Sequence, residues 1–314
     1  MEIISTAPGK LILFGEHASS RGKPALVFAV NLRLQVKLAS HDFPNKNILL
    51  TSKEYYLKGI EYPTDRLNVV SQTVATFLEE TKQSTESFEL SIESNIEPGF
   101  GSSAAVIVAT LGVLNEYYNT NLTREELLKL GIKSNYAVKG YGSGLDIAAS
   151  LYGGLIKYQV NKKPKSLPFN ELNFVIGSTC TKVPSGPIVD AVKQFEKANK
   201  KETKILFDEI KEVVLDAEKA IIATDLDRIG LLMNKNQELL RSLNVSSSIL
   251  EVMIKTAISN GAYGAKLSGG GVGDNMIALI PKNKRDQIIQ SLNLTNGKVL
   301  PDICIDKDGL IIKK

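Results

Sequence analysis

Cysteine and histidine are scarce in this chain, with two of each in 314 residues. Cys180 and Cys304 are too few for a disulfide framework or a cysteine-held zinc site, so a reducing cytosol is the expected compartment. His17 and His41 supply no histidine-rich metal cluster and no evident serine-hydrolase triad. No apolar run reaches the roughly 18–20 residues of a membrane span, and the stretch from Met1 to Lys10 lacks the charged start and apolar core of a signal peptide. A cytoplasmic protein with no membrane partner is therefore predicted, and Asn-x-Ser/Thr triplets at Asn121, Asn244 and Asn293 read as incidental. Charge of one sign is also in short supply. The net +4 is too small an excess to argue for a nucleic-acid partner. The lysines near Lys162–Lys165 and at Lys313–Lys314 read as solvated loop and tail.

What is present is an ordinary globular composition, 43% hydrophobic and 23% charged. Short apolar or alternating runs predict strands at 3–5, 10–14, 25–30, 32–38 and 87–92. Helical patterns cover 66–80, 103–118, 124–138, 188–198, 204–222, 226–243 and 247–260, the third with Thr123 as a cap. Further strands are expected at 155–159, 172–177 and 276–280. A polar, proline-containing stretch at 161–168 marks a soft boundary. Strands and helices mix without regular alternation, which predicts α+β rather than a doubly wound sheet.

Four glycine-bearing segments stand out. Residues 97–106 read Glu-Pro-Gly-Phe-Gly-Ser-Ser-Ala-Ala-Val between a predicted strand and a predicted helix. A helix N-terminus presents free N–H groups and the positive end of a dipole, so phosphate binds well there. Gly99 and Gly101 permit close approach, and Ser102 and Ser103 offer hydroxyls for a cap, a phosphate or a metal ion. Alone, the segment fits a capped turn as well as a phosphate cradle. It is neither a Walker loop nor a dinucleotide fingerprint. The second segment, 7–18, places Lys10, Glu16 and His17 within eight residues, as a solvated hairpin or a substrate corner. The third, 139–154, carries Asp146 ahead of small and apolar residues. This is either a helix N-cap or a partly buried carboxylate paired with a lysine. The fourth, 264–274, has four glycines in five positions and resembles an anion nest.

Taken together and in this order, the segments resemble the GHMP kinase superfamily, which includes galactokinases and the homoserine, mevalonate and phosphomevalonate kinases. Pro98–Ala105 looks like its signature loop, 7–18 like its first motif and 266–274 like its third, so the resemblance spans nearly the whole chain. It implies an N-terminal domain of the ribosomal S5 domain 2 type over 1–165, where ATP binds, a C-terminal ferredoxin-like domain over 166–314, and an active site between them. It implies phosphoryl transfer from ATP, with Mg²⁺, to a small-molecule hydroxyl. By position Asp146 and Lys10 match the catalytic pair, and Pro98, Gly99, Phe100, Gly101, Ser102, Ser103 and Ala104 the ATP loop. Ser103 matches the Mg²⁺ ligand. Glu16, His17, Lys139, Ser143, Gly144, Ser268, Gly269 and Gly270 fall where substrate is held.

The resemblance also bears on the substrate. Residues 15–18 and 234–246 are similar to mevalonate kinases. Residues 142–146 and Asp274 look more like phosphomevalonate kinases, and Lys139 and Gly142 replace a histidine and a proline usual in the former. Asn135 stands where a metal-binding glutamate often lies. The expectation is a kinase acting on the 5-hydroxyl of mevalonate, with 5-phosphomevalonate as the alternative and a non-catalytic ligand sensor of the same fold as a distant third. The resemblance is compatible with a homodimer.

Overall fold

The computed structural model describes residues 2–41, 47–181 and 183–313. In chain order its elements are β1 (Glu2–Phe14), β2 (Ala25–Ser40), β3 (Ile48–Ser52), β4 (Leu57–Glu61), α1 (Asn68–Thr81), β5 (Phe88–Ser94), α2 (Ser102–Tyr117), α3 (Arg124–Lys139) and α4 (Leu145–Tyr152). There follow β6 (Leu155–Tyr158), β7 (Lys165–Leu167), β8 (Phe174–Ser178), α5 (Ser185–Ala198), α6 (Lys200–Ile222), α7 (Leu226–Ser242), α8 (Ser248–Ser259), β9 (Gly264–Ser268), β10 (Asn275–Leu279), α9 (Arg285–Leu292), β11 (Lys298–Leu300) and β12 (Ile311–Lys313). Two compact units form from non-contiguous stretches. One comprises the chain up to Lys10, Ala29–Gly154 and the chain from Asp306. The other comprises Leu11–Phe28 and Leu155–Ile305.

In the first unit the strands run in the order β12-β1-β2-β5-β3-β4. β2 and β5 pair antiparallel from Leu34↔Ser94 to Ser40↔Phe88, whereas β3 and β5 run parallel. Buried Leu34, Val36 and Leu38 on β2 and Phe88, Leu90 and Ile92 on β5 show the period of two that faces one side of a sheet to a core. The helices α1 to α4 pack on one another. α2 is buried without a break from Ala104 to Leu114. That explains its apolar run, since a helix hydrophobic all round is one enclosed on all sides. Thr123 caps α3, as the sequence predicted, and Glu126 completes a capping box with it.

In the second unit, Ala25–Phe28 of β2 pair with β6, which pairs with β7. A separate antiparallel sheet has the order β11-β8-β10-β9, with α7 and α8 against β9 and α9 against β8. Every residue of β9 and β10 is buried.

Several expectations are revised. The short strands at 3–5 and 10–14 are one strand. Pro8-Gly9 reads as a break, yet Gly9 is an inward step where a Cβ would lie 2.7 Å from the Phe100 carbonyl oxygen. The runs 25–30 and 32–38 are likewise one strand. The polar stretch at 161–168 contains β7, and Lys165 is not a free loop lysine, because its Nζ bonds Glu218 at 3.0 Å. Lys313 ends β12, and Lys314 lies outside the described residues.

Candidate active site

In the first unit the candidate residues gather where α2 and α4 begin beside β1. Pro98 and Gly99 form a turn, Phe100 is fully buried, and Gly99 and Gly101 have φ of +87° and +80°. Phe100 anchors the loop twice, through its buried ring and through its carbonyl, which accepts the Lys10 amide at 2.7 Å. Gly101 is the N-cap of α2 and accepts the Ala104 and Ala105 amides, with no side-chain cap. Neither Ser102 nor Ser103 caps the helix. Both are half-buried, and among the described residues their hydroxyls make no hydrogen bond. The helix end thus leaves its amides and two hydroxyls available to a ligand.

Lys10 lies beneath this loop. Its side chain is 7% exposed, and its Nζ stands 3.4 Å from Oδ1 of Asp146. The pairing follows from two periodicities. Pro8 and Lys10 share one face of β1, and Asp146 and Ser150 share one face of α4. The Ser150 hydroxyl donates to the Pro8 carbonyl, so the two faces meet twice and the ion pair is held in register. Asp146 is not an N-cap, a place taken by Gly144 at φ +83°. It sits in the first turn of α4, where a carboxylate complements the helix dipole. Its side chain remains 42% exposed. Ser143 accepts the Leu145 amide at 3.3 Å. Lys139, at the end of α3, is half-buried. Burial holds its ammonium below the usual lysine range, against the attraction of Asp146, and Lys10 repels it further. Two cations thus share one carboxylate. Asn135 donates to the Tyr141 carbonyl at 3.4 Å and fills the space a side chain at Gly142 would need.

The remaining candidates lie in the second unit. Glu16 is fully buried and paired with Lys266, which is equally buried and also donates to the Leu267 carbonyl at 2.5 Å. Burial pushes the Lys266 ammonium down and the Glu16 charge opposes it. Local spacing gives Lys266 no role; a lysine between Ala265 and Leu267 of β9 is the available signal. His17 has φ +59°, and its Nε2 lies 3.0 Å from the Gly270 carbonyl. A carbonyl only accepts, so Nε2 carries the proton and Nδ1 is left as an acceptor. Burial lowers the His17 pKa to about 4, so the ring is neutral at physiological pH. Ser268 is used structurally, donating to the Ile12 carbonyl at 3.0 Å and accepting the Ile12 amide at 2.9 Å. The glycine loop that follows is folded tightly. A Cβ on Gly271 would lie 2.0 Å from the Val245 carbonyl, and the Asp274 carboxylate lies over Gly269. That carboxylate argues against a simple anion nest at Gly269.

Among the described residues no group of three or more His, Cys, Asp or Glu side chains could hold a metal ion. Any divalent ion would depend on few protein ligands.

Two family models match the chain: the GHMP kinases N terminal domain over residues 68–154 and the GHMP kinases C terminal over 217–297. A mevalonate kinase of Pyrococcus furiosus is 34% identical across all of this chain and 99% of its own length. The structure of L. major mevalonate kinase in complex with R-mevalonate is 30% identical, covers 92% of this chain and 90% of its own, and superposes with a TM-score of 0.75. Streptococcus pneumoniae phosphomevalonate kinase shares the fold at a TM-score of 0.83, covering 96% of this chain and 99% of its own, but only 20% of the sequence.

Proposed function

This chain belongs to the GHMP kinases, and on that premise we propose that it transfers the γ-phosphoryl group of ATP to the 5-hydroxyl of mevalonate, as a step of isoprenoid biosynthesis in the cytoplasm. The observation that carries the reaction class is the Lys10–Asp146 pair beside the uncapped start of α2. Likeness along the full chain to named mevalonate kinases supports the substrate. The likeness to phosphomevalonate kinase is one of fold.

The chemistry assigns each group a task. The amides of Gly101, Ser102 and Ser103 and the loop hydroxyls hold the ATP phosphates. Asp146 accepts the proton of the 5-hydroxyl as its oxygen attacks the γ-phosphorus and ADP leaves. Lys10, fixed by β1 and by Asp146, steadies the attacking oxygen, and Lys139 adds positive charge toward the transferred group. His17, uncharged, recognises a substrate hydroxyl through Nδ1 rather than a carboxylate through charge. Glu16 and Lys266 hold that corner from within.

The donors present fit Mg²⁺, which keeps several waters and needs one or two protein oxygens beside phosphates. The unbonded Ser103 hydroxyl would supply such an oxygen. The ion would supply charge neutralisation on the phosphate oxygens.

The test is Asp146→Asn. Turnover should fall by about 10²–10⁴-fold, the range for loss of a general base, while ATP affinity is kept. Near wild-type turnover would overturn the assignment.

A further inference from the structure

We infer that Arg33 is a positioning residue for phosphoryl transfer: it fastens the segment 306–310 to β1, and that segment sets how Lys10 and Asp146 meet. That role depends on the catalytic pair proposed above and involves residues of the first unit alone.

The elements that carry the reacting groups are β1 with Lys10, α2 with Ser103 and α4 with Asp146. One short stretch touches all three. β12 pairs with β1 from Ile4↔Lys313 to Thr6↔Ile311. The Leu310 side chain fills the notch at Gly112 of α2, where an added Cβ would lie 2.8 Å from Leu310 Cδ1. The Leu310 amide donates to the Leu151 carbonyl of α4 at 3.1 Å. Just before it, Gly309 meets Gly153 so closely that a Cβ on Gly153 would stand 2.3 Å from the Gly309 nitrogen. Backbones approach like this only where neither carries a side chain. The Gly154 amide, past the end of α4, donates to the Asp306 carbonyl at 2.7 Å.

Arg33 of β2 holds this stretch in place. It makes five hydrogen bonds, as many as a guanidinium has N–H donors. Nε and Nη2 donate to the hydroxyl and the carbonyl of Thr6 on β1 at 3.1 and 3.0 Å. Nη1 donates to Oδ2 of Asp306 at 2.6 Å and to the Asp308 carbonyl at 3.1 Å. Nη2 also donates to the Gly309 carbonyl at 2.6 Å. The Arg33 and Asp306 side chains are only 22% and 13% exposed, so water replaces these bonds poorly. A lysine carries a point charge without the planar fork and cannot span the same acceptors.

The Ser150–Pro8 bond ties α4 to β1 at one point, and a single bond is a pivot. The contacts of Leu310 with Leu151 and of Gly309 with Gly153 supply the second fastening. Asp146 lies about 6 Å along α4 from Ser150. A tilt of about 10° about that pivot therefore moves the carboxylate by about 1 Å, a misplacement that costs on the order of 10²-fold in rate.

The test is Arg33→Met in the full-length protein. Its kcat should fall by about tenfold to 10²-fold, with KM for ATP and for mevalonate within about twofold of wild type. In the Asp146→Asn background the same change should cost less than about twofold, because the group it misplaces is already gone. Arg33→Lys should do no better than Arg33→Met. Leu310→Ala, which leaves Arg33 and its bonds in place, should show the same split and carries the test if Arg33→Met does not fold. Unchanged kcat, a loss that multiplies in full with Asp146→Asn, or rescue by lysine overturns the role. A crystal structure of either variant gives a readout that needs no turnover. Lys10 Nζ and Asp146 Oδ1 should stand about 1 Å farther apart than 3.4 Å, and an unchanged separation overturns the role as well. A lengthened separation, with full turnover in Asp146→Asn, leaves the fastening standing and refutes the proposed chemistry instead.

Discussion

Replacing Gly101 by alanine isolates the part played by Lys10. Gly101 has φ +80°, and an added Cβ would stand 2.9 Å from Cε and 3.1 Å from Cγ of Lys10. Two costs follow. The left-handed backbone costs an alanine about 1–2 kcal/mol. The Lys10 stem must also retreat by roughly 0.5–1 Å to restore ordinary contact, and a 1 Å misplacement at a reacting centre costs on the order of 10²-fold in rate. Lys10 has little room, because its side chain is 7% exposed and its backbone is tied to Phe100. Gly59 is the control, with φ +59° and nothing within 4 Å of its added Cβ. Gly59→Ala should show a similar loss of stability in urea and full activity. Gly101→Ala should lose about 10²-fold in kcat beyond that stability change. If both variants turn over alike, Lys10 is not placed by this loop and the reasoning fails.

Other outcomes follow from the same geometry. Between pH 6.5 and about 4 the unfolded chain binds a proton at His17 that the folded chain refuses. Stability is therefore whole above pH 6.5 and falls by on the order of 3 kcal/mol as the pH drops to about 4. His17→Gln should remove that slope in urea titrations, and an unchanged slope would contradict it. Lys266→Met leaves Glu16 buried without its cation and should cost about 3–5 kcal/mol of unfolding free energy; a loss below 1 kcal/mol, measured by the same method, would refute the pairing. Because Lys139 loses its proton below the ordinary lysine range, kcat/KM should decline on the alkaline side sooner than an exposed lysine would dictate. That limb should vanish in Lys139→Met.

The sequence conveyed the amphipathic helices well, because their signals are local. Thr123 with Glu126 and Ser247 before α8 mark their starts, and α2 announces its burial by composition. Long strands were harder. Pro8 and Gly9 look like punctuation, and only the approach of Phe100 explains a glycine inside β1. The helix α4 is foreshadowed only by the N-cap alternative for Asp146, and the cap falls on Gly144 instead, since the short run after Asp146 gives little periodicity. Local spacing brought out Lys10, Asp146 and the loop as chemistry-bearing residues. Their assembly by the Ser150–Pro8 bond joins residues 142 positions apart, which no local pattern encodes. Lys266 was missed for the same reason, because its partner lies 250 positions away. Residues 11–28 pack with the second half of the chain, a placement that strand periodicity does not report.

The most direct test is to identify the product by ³¹P NMR after incubating the protein with ATP and Mg²⁺, offering mevalonate in one reaction and 5-phosphomevalonate in another. The account predicts a single new phosphomonoester at the 5-oxygen of mevalonate, matched by ADP, and no reaction of 5-phosphomevalonate. Untouched mevalonate, with 5-phosphomevalonate converted to a diphosphate, would contradict it.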